Sequence, residues 1–365
     1  MIYGANGYTG SLIAREAQSR GFQPILGGRN SMEVELLAKE LNLEFRVFDL
    51  SSLDVITNNV ADLNLVLNCA GPFTKTVQAL LTACISNHCH YLDISGELAV
   101  FEYCQGESQK AKDAGCIVCP GVAFDIVPTE IAAAKLKQLL PAAEALKIGF
   151  DGKMALSKGS SITLLEGIGN PELSVYMIRK DGVVQRLTKP HIEKAVFAVG
   201  EKPRKAMAIT WADLNGAFYS TGIPNIAVFV PATLVNRLSF AVMERLKPVF
   251  SFGKVQSILA GLIKSFVKGP SKNDLDEGGM TVFGEATAPS GEMVRISFAV
   301  AHGYRFTCLS ALAIVEHCLN CKNIGGYFTP SMLMGTDFVE QLEGSSRYKI
   351  ERLSGSHKMQ YVKLG

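Results

Sequence analysis

The chain has 365 residues, 48% of them hydrophobic and 19% charged, and a net charge of +2. A balance so near neutral leaves no electrostatic footprint for nucleic acid, and the length suits two domains of ordinary size. The longest apolar runs, Ile226 to Val235 and Val255 to Val267, are broken by Pro231 and Lys264 and fall short of the roughly 20 residues a membrane-spanning helix needs, so a cytoplasmic protein with nine free thiols is expected.

Met1 to Tyr3 read as the end of a buried strand, so no leader is expected. Gly4, Ala5, Asn6, Gly7, Tyr8, Thr9 and Gly10 then form a glycine turn that runs into a helix from Tyr8 to Ser19. Strand, glycine turn and helix make a phosphate site, because the backbone approaches the anion closely and the first N–H groups of the helix point at it. A second strand, Pro24 to Leu26, ends in Gly27, Gly28, Arg29 and Asn30. Where a site for NAD usually carries an acid for the ribose 2′-hydroxyl, this chain carries Arg29, which suits a 2′-phosphate and hence NADP. The alternative is a surface arginine in a turn.

A helix from Met32 to Leu41 leads to a third strand, Glu44 to Phe48, and Asp49. Asp49 is expected either at the adenine end of the cofactor or as the cap of a helix starting near Ser52. Strand four, Leu63 to Leu67, closes on Asn68, Cys69, Ala70, Gly71, Pro72 and Phe73, small residues that admit a ribose and nicotinamide, with Pro72 suited to a first helical turn. Strand five, Tyr91 to Ile94, places Asp93, Ser95 and Glu97 on the same edge. Strand six, Cys116 to Cys119, places Gly121 and Asp125 there.

In this order, the segments Ile2 to Gly10, Gly27 to Arg29, Asn68 to Phe73, Tyr91 to Glu97 and Pro120 to Glu130 resemble the saccharopine dehydrogenase-like NADP-binding family, in its branch of trans-acting enoyl reductases and saccharopine dehydrogenase-like oxidoreductases. The likeness covers residues 1 to about 135 and returns at Gly326 to Pro330 and Met334–Gly335; residues 157–161 and 179–182 are loosely similar. The resemblance implies an α/β fold in which a Rossmann-type, doubly wound parallel sheet carries an inserted mixed α/β second domain. It also implies NADP(H) as cofactor. The expected divisions are residues 1–130 for the nucleotide domain, 131–303 for the second domain and 304–365 for a segment returning to the first. A binding set of Gly4 to Gly10, Gly28, Arg29, Asn30, Asp49, Cys69 to Phe73, Asp93, Ser95 and Gly121 follows.

A helix from Pro128 to Leu140 leads out of the nucleotide domain. Val183 to Leu187 reads as a strand, and Met280 to Ala286 with Val294 to Ala301 as an antiparallel pair. The apolar stretch from Leu234 to Val267, dotted with Arg237, Arg245, Lys247, Lys254 and Lys264, suits a core or homodimer helix pair, a lipid-like substrate pocket or a peripheral membrane contact. Residues 270–277 read as a polar loop, Tyr304 to Cys321 as a buried helix, and Thr329–Pro330 as a helix start.

Hydride transfer needs an acid beside the substrate. Asp93, Glu97, Asp125 and Glu130 are the candidates, with Asp125 first because it follows Pro120–Gly121 at a strand end; its alternative role is to cap the next helix. Tyr176 and Lys180 match the Y-x-x-x-K of short-chain dehydrogenases, but Lys180 abuts an Asp181–Gly182 turn. A protein that binds NADP without turnover, as scaffold or sensor, is the rival from another class. No metal is expected, since Cys116 and Cys119 on a strand face opposite ways and the group His317, Cys318 and Cys321 lacks a second pair at zinc-site spacing.

Overall fold

The computed structural model describes residues 1–152, 176–250, 278–321 and 324–354, with isolated positions at 161, 165, 255, 258, 259 and 261. The expectations for residues 157–160 and for the loop at 270–277 lie outside the described residues, as does most of the apolar run beyond residue 250.

Short apolar runs alternate with amphipathic ones through the first third of the chain. Strands β1 (Ile2–Tyr3), β2 (Leu26–Gly28), β3 (Phe45–Val47), β4 (Leu65–Asn68), β5 (His90–Asp93) and β6 (Ile117–Cys119) are interleaved with helices α1 (Tyr8–Ser19), α2 (Ser31–Leu41), α3 (Leu53–Val60), α4 (Phe73–Ser86), α5 (Leu98–Gly106) and α6 (Ser108–Asp113). The strands are parallel, in the order β3-β2-β1-β4-β5-β6, and β15 (Gly326–Tyr327) adds itself beside β6. Because side chains alternate along a strand, Ile2, Leu67, Leu92 and Ile117 face a core with Ile13 and Leu37. Tyr3, Val66, Tyr91 and Val118 face the opposite one, with Ile56, Leu80 and Phe101. A parallel sheet buried on both faces is the doubly wound arrangement.

The second strand lies two residues later than expected, and Gly27 and Gly28 are inside it. A Cβ on Gly27 would stand 2.8 Å from Met1 Sδ, and one on Gly28 2.9 Å from Val34 Cγ2. The glycines are there for close packing rather than for a turn.

Helix α7 (Val127–Leu139) carries the chain into a second sheet built from β7 (Ala145–Asp151), β8 (Met177–Lys180), β9 (Val183–Arg186), β10 (Ile192–Ala195), β11 (Arg204–Ile209), β12 (Asn225–Pro231), β13 (Gly279–Thr287), β14 (Met293–Ala301) and β16 (Lys349–Leu353). This sheet is mixed: β7 runs parallel to β12 and antiparallel to β13. Helix α7 packs on one face so closely that a Cβ on Gly284 would meet Leu136 Cδ1 at 2.6 Å. Glu285 points to the other face, where Lys147, Glu285, Arg295 and Glu351 from four neighbouring strands form a row of alternating charge.

Helices α8 (Asp213–Thr221) and α9 (Leu234–Phe250) connect strands of the second sheet, and α10 (Gly303–Asn320) passes beneath the loop after β6. The chain past residue 303 serves both sheets. It contributes β15 to the first, forms α11 (Pro330–Met334) with Thr329 at the N-cap and Pro330 at the first position, and ends as β16 of the second. The second domain is thus inserted between β6 and β15. Among the described residues no helix is long and apolar enough to cross a membrane.

Candidate active site

Gly4 leaves β1 with φ of +81°, and a Cβ there would stand 2.7 Å from the backbone nitrogen of Ala70. The N–H groups of Gly4 and Ala5 both donate to the Gly27 carbonyl, at 2.8 and 3.1 Å, and the Gly7 N–H donates to the Gly4 carbonyl at 3.0 Å. Gly7 is the N-cap of α1 and supplies no side-chain cap. Gly10 lies against the loop, where a Cβ would come 2.3 Å from the Gly4 carbonyl oxygen. The Asn6 side chain donates to Glu33 at 2.8 Å and fixes the loop to α2, while Asn30 caps α2 by accepting from the Glu33 N–H. The Tyr8 ring stands edge-on to Tyr304 at 5.0 Å, and Thr9 is half-buried in the first turn of α1.

Arg29 follows β2, is exposed, and among the described residues forms no ion pair. Its charge is felt by Tyr3 and Asp49. Asp49 is exposed and turns inward on itself: its carboxylate accepts from the hydroxyl and the N–H of Ser51, which holds its pKa below the ordinary carboxylate value. Ser52, not Asp49, is the N-cap of α3. A glycine-lined turn, a helix start without a side-chain cap and an unpaired arginine at the next strand end fit a dinucleotide bearing a 2′-phosphate.

The loop after β4 is braced from below. Buried Asn68 accepts from the Ala70 N–H at 2.9 Å and donates to Thr76 and Tyr91. Cys69 and Ala70 are half-buried, Gly71 is exposed, and Phe73 is buried. Pro72 is the N-cap of α4 rather than part of its first turn. The first N–H groups of that helix, at Phe73 and Thr74, donate to the Glu97 carboxylate at 2.9 and 3.0 Å.

Hydrogen-bond accounting separates the four candidate acids. Buried Asp93 accepts from the N–H of Ser95 and of Gly121, each at 2.9 Å, and from the Tyr91 hydroxyl at 3.0 Å. Burial lifts its pKa to about 6 against the pull of those donors. Ser95 is equally buried and accepts from the Glu97 N–H. Asp93 and Ser95 therefore hold together the loops that follow β5 and β6. Glu97 is occupied by α4, and buried Glu130 by the N–H and hydroxyl of Ser331, at 2.8 and 2.7 Å.

Asp125 differs. Among the described residues its carboxyl has no hydrogen-bond partner, it is partly exposed, and it rests against Gly96, where a Cβ would come 3.3 Å from Asp125 Cβ. It does not cap α7, whose N-cap is Ile126. Burial pushes its pKa up to about 6. The Trp211 indole N–H, from the second domain, donates to the Asp125 carbonyl. Trp211 packs on Phe150 at 5.3 Å, and Phe150 on Phe124 at 5.6 Å. One buried acid escaped the sequence reading: Asp213, at the start of α8, pairs with the Thr129 hydroxyl at 2.8 Å and leaves Oδ1 without a partner. Its only sequence signal is its place two residues after the sole tryptophan.

Residues 1–119 match the saccharopine dehydrogenase NADP binding domain. A probable mitochondrial saccharopine dehydrogenase-like oxidoreductase of Arabidopsis thaliana is 24% identical, over 94% of both chains. A lipid droplet localized protein of Caenorhabditis elegans is 27% identical over 38% of this chain and 36% of its own. The human saccharopine dehydrogenase-like oxidoreductase is 26% identical over 36% and 35%. The fold is that of saccharopine dehydrogenase (L-Glu forming) from Saccharomyces cerevisiae, with a TM-score of 0.60 at 10% identity over 97% of this chain and 99% of that one. The first third of the chain thus matches the NADP binding domain of saccharopine dehydrogenase, and the whole chain is similar in length and fold to saccharopine dehydrogenase-like proteins.

The Y-x-x-x-K match has the wrong setting. Tyr176 is buried just before β8 and Lys180 ends that strand in the second sheet, so the pair has strand spacing and no helix beside the nucleotide sheet presents it. Among the described residues no three His, Cys, Asp or Glu side chains converge on a point as a metal would require. Gly10→Ala is expected to distort the phosphate loop and weaken dinucleotide binding at least about tenfold, since the added methyl has only backbone to displace. Calorimetric titration of the variant, with circular dichroism to check its fold, measures this.

Proposed function

We propose that this chain is an NADP(H)-dependent oxidoreductase that reduces a carbonyl, imine or enoyl group of an apolar substrate, with Asp125 as the proton donor. The observation that carries this reading is the unpaired, partly exposed Asp125 carboxyl at the same sheet edge as the phosphate loop. The cofactor, when bound, supplies a hydride to the unsaturated carbon. The chain does the rest. Gly4 to Gly10 and the start of α1 orient the pyrophosphate, and Arg29 selects the 2′-phosphate.

Asp125, with a pKa near 6, retains a fraction of acid at neutral pH and gives its proton to the heteroatom or the α-carbon, ending as a carboxylate. Phe150 and Trp211, packed on each other beside the Asp125 loop, supply an apolar wall that favours a greasy substrate. The nine cysteines are free thiols, the state of a reducing compartment, and the proposal places the protein in the cytoplasm.

The test follows NADPH oxidation by absorbance against a panel of aliphatic aldehydes, 2-enoyl thioesters, and aldehydes mixed with amines. Substrate-dependent oxidation of NADPH in preference to NADH is expected. Binding of NADPH without turnover on any member of the panel would favour the scaffold or sensor reading instead.

A further inference from the structure

On an ordinary surface helix the outward stripe is polar and the inward stripe apolar. Helix α9 is built the other way. Leu234, Val235, Leu238, Val242 and Leu246 are 70, 71, 57, 52 and 40% exposed. At 3.6 residues per turn these five side chains fall within an arc of about 120°. Phe240, on the opposite side of the helix, is the residue that packs on the protein core. The Asn236 side chain donates to the Pro231 carbonyl at 2.8 Å and ties the start of α9 to β12, so the helix presents its apolar stripe outward from a fixed base.

Charge narrows what covers that stripe. Exposed Arg245 falls within the arc, and exposed Arg237 lies about 60° beyond its edge. Long basic side chains in these places reach past an apolar boundary to anionic groups beyond it. In the sequence that follows, residues 251–268 add Lys254, Lys264 and Lys268 and no acid. Over residues 234–268 six basic residues stand against one acid, Glu244, so a second copy of this chain would set a net like charge against itself across a twofold axis, whereas an anionic lipid surface offers both an apolar layer and a neutralising one.

We infer that α9 docks this protein on an anionic phospholipid surface, with Leu234, Val235, Leu238, Val242 and Leu246 in the acyl boundary and Arg237 and Arg245 at the head groups. The protein would thereby meet an apolar substrate where such molecules collect. The docking itself does not depend on the proposed reaction and is measured without cofactor.

Flotation of the full chain with phosphatidylcholine vesicles, with and without phosphatidylserine, tests it. The wild type is expected to float with the anionic vesicles and less with the neutral ones. Leu238→Glu with Val242→Glu is expected to lower the bound fraction at least about tenfold, and Arg237→Glu with Arg245→Glu to abolish the preference for phosphatidylserine. Thermal melting confirms that both variants are folded. Failure of the wild type to float at low salt, or unchanged flotation of the Leu238 and Val242 variant, overturns the inference. So does a wild-type dimer that this variant converts to monomer without any vesicle binding, since the face would then belong to a second copy.

Discussion

Asp125→Asn is expected to lower turnover of NADPH with any accepted substrate by about 10² to 10⁴-fold, the usual contribution of a positioned general acid, while NADPH affinity stays unchanged. In the wild type the acid form is the competent one, so kcat falls as pH rises above the pKa of about 6. The same group makes a parallel mark on stability. Its native pKa lies above the ordinary value of 3.8, so the folded state binds the proton more tightly than the unfolded one. That contribution is complete below about 4 and is lost as pH rises through about 6. Asparagine does not titrate. The variant is therefore expected to melt above the wild type at pH 7 and to lose that advantage at pH 4. Thermal melts at the two pH values, beside the pH profile of kcat, check both halves. Full turnover in the variant, or a lower melting temperature at pH 7, would refute the assignment of Asp125 as the proton donor.

Arg29→Ala is expected to raise the Kd for NADPH by roughly 30-fold, the equivalent of about 2 kcal/mol for a charged hydrogen-bonded contact, and to change that for NADH less than about twofold. The asymmetry is the point: a guanidinium with no ion pair among the described residues loses nothing in the protein when removed, so any effect comes from the ligand. Isothermal titration with both nucleotides measures it. Equal losses for NADPH and NADH would show that Arg29 holds the loop and does not read the 2′-phosphate.

The nucleotide domain was legible because a parallel sheet buried on both faces writes its strands as apolar runs, and because Gly4, Gly7 and Gly10 are spaced for a turn that a helix follows. The helix from Tyr8 to Ser19 has the bounds that its sequence predicts. Gly27 and Gly28 misled, since a glycine pair signals a turn more often than a tightly packed strand. The second domain was less legible. Ile192–Ala195 and Lys349–Leu353 lie toward opposite edges of their sheet and carry charge at alternate or adjacent positions, without an apolar period to betray them. Among the acids, sequence could place Asp93, Glu97 and Asp125 at strand ends but not distinguish a staple from an open carboxyl. That distinction rests on which backbone N–H groups point at each, and such groups leave no trace in residue identity. Asp213 was invisible for the same reason.

Trp211 is the one tryptophan of the chain, and its indole sits at the seam where the second domain touches the loop of Asp125. All tryptophan emission from this protein therefore originates at a single point beside the proposed chemistry. The reduced nicotinamide ring absorbs light in the range where indole emits, so cofactor arrival is readable as energy transfer from an intrinsic fluorophore. Loss of the bond between the indole and the Asp125 carbonyl is readable as a spectral shift. The molecule carries its own label beside the proposed site.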